Sequence, residues 1–181
     1  NKIINKNFVE IMHMIIKHDL HNGYVKLSAN DIHEHVLKAI DRPGDWNVAK
    51  QVGLSMYKEY SVIKNFRKMF VELIAGLPMQ TYDSFIASLD EIYSNGFIPR
   101  TYPFLILKNA PASYDTEYRE KYKIVDDLVY EAIDTSLIGE TVEDIYNNPS
   151  INPRFLQIIS SSSFTELDLV KMTIADQLYR R

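Results

Sequence analysis

Residues 70–78, with the sequence Phe-Val-Glu-Leu-Ile-Ala-Gly-Leu-Pro, decide the fold that this chain is predicted to adopt. The first five form a near-continuous apolar run, which is typical of a parallel strand covered on both faces. The Gly-Leu-Pro that follows breaks the strand. Within the run, Glu72 is costly to bury unless another group hydrogen-bonds its carboxylate. We therefore predict a buried parallel strand at 70–74 and a partner for Glu72.

Short strands and helices alternate on both sides of this strand. Further strands are predicted at 24–27 and 101–107, and the clearest helices at 45–60 and 81–95. Such alternation is the pattern of βαβ units, which build a parallel sheet. Three strands are about half of a (β/α) barrel, which typically takes ~250 residues. We therefore predict an α/β fold in which residues 1–125 form part of a TIM-type barrel, with further strands upstream.

The pattern changes after residue 124. An apolar pattern over 128–133 suggests a helix, and the serine run at 160–163 is a loop signal. Phe164 before a Thr165 cap, with Leu169 four residues beyond the cap, matches a hydrophobic staple. We therefore predict a mostly helical C-terminal extension over residues 126–181. Its final helix is predicted to bury Leu167, Val170, Ile174 and Leu178.

The composition argues against several classes of protein. A net charge of -4 argues against nucleic-acid binding, and no apolar run approaches the ~20 residues of a membrane span. The chain has no cysteine, which fits a reducing compartment, so we expect a cytoplasmic protein without disulfides. His33 and His35 are two residues apart and do not share a helical face. We predict no metal ligand in the chain.

Candidate site residues follow the ends of the predicted strands, because ligands bind there in parallel α/β folds. Glu72 could accept hydrogen bonds from a ribose diol, or it could be a core carboxylate paired with a Lys or Arg. Arg42 stands at a helix end, where it could contact a ligand or cap the helix. The other polar candidates at strand ends are Ser28, Asn30, Lys108 and Asn109.

Several of these segments resemble the radical S-adenosylmethionine superfamily. Residues 28–31 (SAND) and 36–42 (VLKAIDR) are similar to the region of the fourth strand in these enzymes. Residues 71–81 (VELIAGLPMQT) are similar to the fifth strand and its turn, and 103–111 (PFLILKNAP) to the sixth. The resemblance is nearest to members with an N-terminal cobalamin-binding domain, whose C-terminal extension carries a serine-rich turn like residues 160–164.

The resemblance implies a site for S-adenosylmethionine. Asn30 and Arg42 would hold its methionyl amino and carboxylate groups. Glu72 would bind the ribose hydroxyls, and the stretch from Leu107 to Asn109 would border adenine, with Ser28 in the same cofactor-binding set. Relatives often have Gln at position 30, Asp at position 72 and Gly where this chain has Met79, so individual contacts differ.

The family's function depends on a 4Fe-4S iron–sulfur cluster held by a three-cysteine loop, which this chain lacks. The resemblance therefore implies the C-terminal part of a radical enzyme, inactive alone, that makes a 5′-deoxyadenosyl radical with the cluster ligands in a missing N-terminal half. Cobalamin would be bound outside this chain. The alternatives are a non-catalytic α/β binding domain with a degenerate half-barrel, or an unrelated α/β enzyme with a phosphorylated substrate.

Overall fold

Three parallel strands form the main sheet in sequence order: β1 (Tyr24–Asn30), β2 (Lys68–Ala75) and β3 (Ile98–Pro103). Helices connect them, so the predicted α/β architecture with parallel strands is confirmed. The computed structural model describes residues 6–18, 20, 24–42, 44–60, 68–130 and 154–179. The helices in these ranges are α1 (Lys6–Lys17), α2 (Glu34–Ala39), α3 (Trp46–Tyr60), α4 (Tyr82–Ser94), α5 (Pro111–Tyr114), α6 (Thr116–Tyr122) and α7 (Glu166–Tyr179).

One face of the sheet is covered by α3, α4 and α7. Alternate side chains of β2 point into this layer and are almost inaccessible, because successive strand residues face opposite sides. The close approach of α3 needs a glycine, since a Cβ at Gly53 would lie 2.9 Å from Cζ of Phe97. The residues of β2 that point into this layer are Met69, Val71, Leu73 and Ala75.

The opposite face is less covered and carries charges. Among the described helices, α3, α4 and α7 make the main contacts with the parallel strands, so we call the second face the open face. Its apolar members, such as Phe70 and Ile74, stay partly exposed. The prediction that β2 is covered is confirmed for the first face, while on the second face its described residues are partly buried. The open face comprises Lys26, Ser28, Phe70, Glu72, Ile74, Ile98, Arg100 and Tyr102.

The third strand begins and ends earlier than predicted. Only residues 101–103 of the predicted range belong to β3, which carries Pro99 and Pro103. Beyond Pro103 the chain joins a different strand, β5 (Arg154–Ser160). The backbone N–H of Ile106 donates to the carbonyl of Leu156 at 2.7 Å, in an antiparallel arrangement. The apolar residues after Pro103 thus pair with a strand of a second sheet.

That second sheet was not predicted in the C-terminal extension. β4 (Val125–Tyr130) pairs antiparallel with β5, and the described part of 126–181 holds these strands beside one helix. The apolar pattern read as a helix begins at Leu128, which lies in β4 opposite Leu156. A run of three apolar residues fits both the helical and the strand periodicity, and here the pairing with β5 makes it a strand. Residues 132 and 133 lie outside the described residues.

The final helix exists as predicted, but its buried face was predicted wrongly. Thr165 and Asp168 cap α7 reciprocally. Phe164 and Leu169 are buried against the turn at Gly76, which orients the helix. The exposed fractions are 62% for Leu167, 49% for Val170, 58% for Ile174 and 62% for Leu178. The buried residues are instead Leu169, Met172, Ala175 and Asp176.

The turn at 76–81 forms as the sequence suggested. Thr81 caps α4, and its side chain and that of Ser84 satisfy each other's backbone N–H groups. None of the described helices has the length and apolar character needed to cross a bilayer.

Candidate ligand-binding site

A cavity of about 600 Å³ opens at the carboxyl end of the parallel sheet. Its walls come from the ends of β1 and α2, the segment after β3 and the pair α5–α6. Ligands of parallel α/β folds bind at this end. The polar side chains that line the cavity are those of Asn30, Lys38, Asp41, Arg42, Asp115, Tyr118, Lys121 and Tyr122.

Asn30 and Arg42 meet at the cavity wall. A bulge interrupts β1 before Asn30, which adopts a φ of 65°, a conformation that asparagine tolerates better than most residues. With its amide oxygen facing the guanidinium, Asn30 accepts hydrogen bonds from Nε and Nη1 of Arg42 at 3.1 and 3.2 Å. A guanidinium has five N–H donors. Arg42 therefore keeps donors for a ligand.

The position of Arg42 follows from how α2 ends. Asp41 turns into the left-handed region with a φ of 48°. The backbone N–H of Arg42 then donates to the carbonyl of Leu37 at 2.9 Å, which closes the helix. The capping role considered for Arg42 thus belongs to its backbone, and its side chain reaches towards β1.

Glu72 lies on the open face beside β1. Its Oε2 accepts a hydrogen bond from Ser28 Oγ at 2.9 Å, and its Oε1 lies 3.4 Å from Lys26 Nζ and 3.5 Å from the Tyr102 hydroxyl. The side chain is 20% exposed, so a ligand can reach the carboxylate. Lys26 is the kind of partner that the paired-carboxylate interpretation requires, whereas the two hydroxyls are contacts that ribose hydroxyls could replace.

The predicted site residues fall into three places. Asn30, Arg42 and Leu107 line the cavity. Ser28 and Glu72 form a pair outside it, and Ile74, two residues beyond Glu72 on the same strand face, joins that pair to the cavity wall. Lys108 and Asn109 are exposed and do not line the cavity.

Sequence reasoning did not identify α6 as a cavity wall, although Tyr118 and Tyr122 of this helix line the cavity. Tyr118 donates its hydroxyl to the carbonyl of Ala39 at 2.9 Å, and burial raises the pKa of this tyrosine to about 12. Lys121 Nζ lies 5.0 Å from the centre of the Tyr122 ring. The signal available was an i, i+4 tyrosine pair beside a lysine. These residues add an aromatic wall and a cation to the cavity.

A buried polar network fixes the strand ends that carry the site. Asp31, 1% exposed, accepts hydrogen bonds from the backbone N–H of His33 and from Gln80 Nε2, both at 2.7 Å. Gln80 also donates to the carbonyl of Ile74 and accepts from the N–H of Gly76. Asp31 does not cap α2, whose N-cap is His33, because its carboxylate is held by Gln80 and by the backbone N–H of His33.

Asp31, His33 and Ser88 form a cluster that superficially suggests a hydrolase. The Asp31 carboxylate and the Ser88 hydroxyl both lie beside Nδ1 of His33, at 2.9 and 3.3 Å. A catalytic triad needs the nucleophile and the carboxylate at opposite ring nitrogens. Ser88 is also fully buried and bonded to the carbonyl of Ser84. The cluster therefore has a structural role.

The described residues contain no group of three His, Asp or Glu side chains arranged to hold a metal ion. Comparison with known proteins adds no identification: no protein-family model matches the sequence, and a search of curated proteins found no match.

Proposed function

We propose that this chain binds S-adenosylmethionine as the C-terminal part of a radical enzyme. The observation that carries the proposal is the contact between Asn30 and Arg42 in the wall of the cavity at the carboxyl end of the sheet. Two segments that resemble the superfamily, around β1 and at the end of α2, thus bring their candidate residues together. Glu72, from the third such segment, lies on the strand face that leads into the cavity.

A partial TIM-type barrel is the architecture we propose for the parallel sheet. The strands follow one another in chain order, and α3 and α4 lie on one face. Doubly wound sheets instead reverse direction at a switch point and carry helices on both faces. In a barrel the open face would point inward, and a ligand would bind at the carboxyl ends of its strands.

Each residue has a defined task in this proposal. The remaining N–H groups of Arg42 would bind the methionyl carboxylate, because guanidinium and carboxylate form paired hydrogen bonds. Asn30 orients Arg42, and Glu72 would accept hydrogen bonds from the ribose hydroxyls. Leu107 would lie along the adenine. Bound S-adenosylmethionine supplies a 5′-deoxyadenosyl group for radical chemistry.

The residues of this chain do not fit an iron–sulfur cluster. Such clusters are held by thiolates, and the chain contains no cysteine. We therefore assign no reaction step to the cluster, and radical formation would require ligands from outside these residues.

Calorimetric titration with S-adenosylmethionine tests the proposal. Loss of a hydrogen bond to a charged group costs about 1.5–3 kcal/mol, so Arg42→Ala and Glu72→Gln should each weaken binding about ten- to a hundredfold. Lys58→Ala, which removes an exposed cation from α3, should bind like the wild type. Absence of measurable binding by the wild-type chain would overturn the proposal.

The ion pair between Lys26 and Glu72 favours a second candidate, a non-catalytic binding domain in which Glu72 is only structural. In that case Glu72→Gln lowers the melting temperature and leaves ligand affinity unchanged. Thermal melting beside the titration distinguishes the two candidates.

A further inference from the structure

The open face of the sheet has a charge imbalance. Parallel sheets are normally covered on both faces, yet this face presents Lys26, Glu72 and Arg100 among partly exposed apolar side chains. Lys26 pairs with Glu72 at 3.4 Å. Among the described residues of this face, the positive charge of Arg100 has no ion-pair partner.

Arg100 stands directly beside Glu72 on the neighbouring strand, because the two residues pair in the β2–β3 register. The oxygens of Glu72 nevertheless turn towards Lys26, Ser28 and Tyr102. The guanidinium of Arg100 lies over the Tyr102 ring, 5.6 Å from its centre. In the described part of the chain it makes no ion pair. Its planar donors are therefore available, in the geometry that carboxylates and phosphates match.

Apolar side chains lie on the same face of the sheet as Arg100. Phe70 and Ile98 are paired in register, two residues before Glu72 and Arg100, and both are partly exposed. A ligand on this part of the face would therefore meet a cation beside an apolar surface. This place is distinct from Arg42, which reaches Asn30 at the cavity wall.

We propose that Arg100 binds the carboxylate or phosphate of a second ligand, an organic anion whose apolar part rests on Phe70 and Ile98. If S-adenosylmethionine occupies the cavity and reaches Glu72, this ligand is the neighbouring substrate. Only that identification rests on the proposed function, since the anion site itself follows from the open face.

Phenyl phosphate and benzoate are suitable probes, because each joins an anionic group to a ring. Calorimetry should show saturable binding of at least one probe to the wild-type chain, and no binding of uncharged phenol. Arg100→Gln should weaken the probe's binding about tenfold or more. Lys58→Gln, which removes an exposed cation from α3, should keep it. Binding lost in Arg42→Ala but kept in Arg100→Gln would overturn the proposal, as would failure of both probes to bind the wild type.

Two further measurements keep the test decisive. If Arg100→Gln does not fold, Arg100→Lys replaces it: the charge remains but the planar fork is lost, so weaker probe binding is expected, and unchanged affinity overturns the proposal. Titration of S-adenosylmethionine into Arg100→Gln should match the wild type. Probe binding through Arg100 without any S-adenosylmethionine binding would refute the proposed function and leave the anion site standing.

Discussion

Asp31 illustrates how single residues hold the site in place. Its buried carboxylate receives donors from β2's turn through Gln80 and from the start of α2 through His33. A buried carboxylate is tolerated only when its hydrogen bonds are made. The residue directly before it, Asn30, is therefore held in the conformation that meets Arg42.

This arrangement makes stability depend on pH through His33. The hydrogen bond with Asp31 raises the pKa of His33 above its usual value, against the opposing effect of burial. A group whose pKa is higher in the folded state stabilises the fold fully below its unfolded pKa of about 6.5. That contribution disappears as the pH rises through the folded pKa. We therefore expect the stability advantage of the wild type over His33→Gln to be largest well below pH 6.5 and to shrink as the pH rises above that value.

Urea denaturation at pH values below and above 6.5 measures the effect. His18→Gln is the control, because His18 is an exposed histidine at the end of α1. A difference between wild type and His33→Gln that stays constant with pH would contradict the expectation.

Substitution of Gln80 gives a second prediction, which concerns stability. Gln80→Glu would replace the amide donor 2.7 Å from Asp31 by a second buried carboxylate. An uncompensated buried charge costs roughly 3–5 kcal/mol, so we expect severe destabilisation at neutral pH that lessens when acid supplies a shared proton. Denaturation at two pH values measures it, with Gln51→Glu on the exposed side of α3 as control. A variant as stable as the wild type at neutral pH would show that the network is dispensable.

Sequence reasoning identified some of the individual residues of the site. It placed Asn30 and Arg42 among the candidates because they follow a strand and a helix in a βαβ pattern, and Leu107 through the resemblance to the superfamily. It did not find Tyr118 or Lys121, because nothing local indicates which face of α6 meets a segment about 80 residues earlier.

Among the elements, α7 shows what periodicity cannot decide. The helix carries two apolar stripes, one through Leu169 and Met172 and one through Val170 and Ile174, and both have helical spacing. The staple formed by Phe164 and Leu169 selects the first stripe, because both side chains pack at Gly76. The capping signal in the sequence therefore carried information that the hydrophobic stripe alone did not.

Substitution of one residue from each stripe measures this orientation. Met172 is inaccessible and Ile174 is 58% exposed. Met172→Ala should lower the free energy of unfolding by about 2–5 kcal/mol, whereas Ile174→Ala should change it by less than about 0.5 kcal/mol. Urea denaturation of both variants checks the difference. Equal losses would mean that both stripes are buried.

β4 shows a different limit of the sequence. Its partner, β5, lies more than twenty residues away in the chain, and only that pairing makes the apolar residues at 128 and 129 a strand. By contrast, β2, α3 and α4 were predicted correctly, because a breaker, a long apolar period or a cap marked each one locally.

For the whole molecule, the absence of cysteine yields a direct prediction. Reconstitution of this chain with iron and sulfide should give no stable cluster, because it has no thiolate ligand. Iron and sulfide analysis with absorption spectroscopy after desalting measures the outcome. Retention of iron and sulfide in stoichiometric amounts would contradict the assignment of cluster binding to residues outside this chain.

The two edges of the main sheet differ in whether they can recruit another strand. β3 has Pro99 and Pro103, which lack the N–H that a new neighbouring strand would need. The chain beyond β3 already pairs with β5. β1 has no proline and pairs only with β2 among the described residues. A further strand can therefore add to the sheet at β1 and not at β3. That strand could come from the same polypeptide or from another molecule during aggregation.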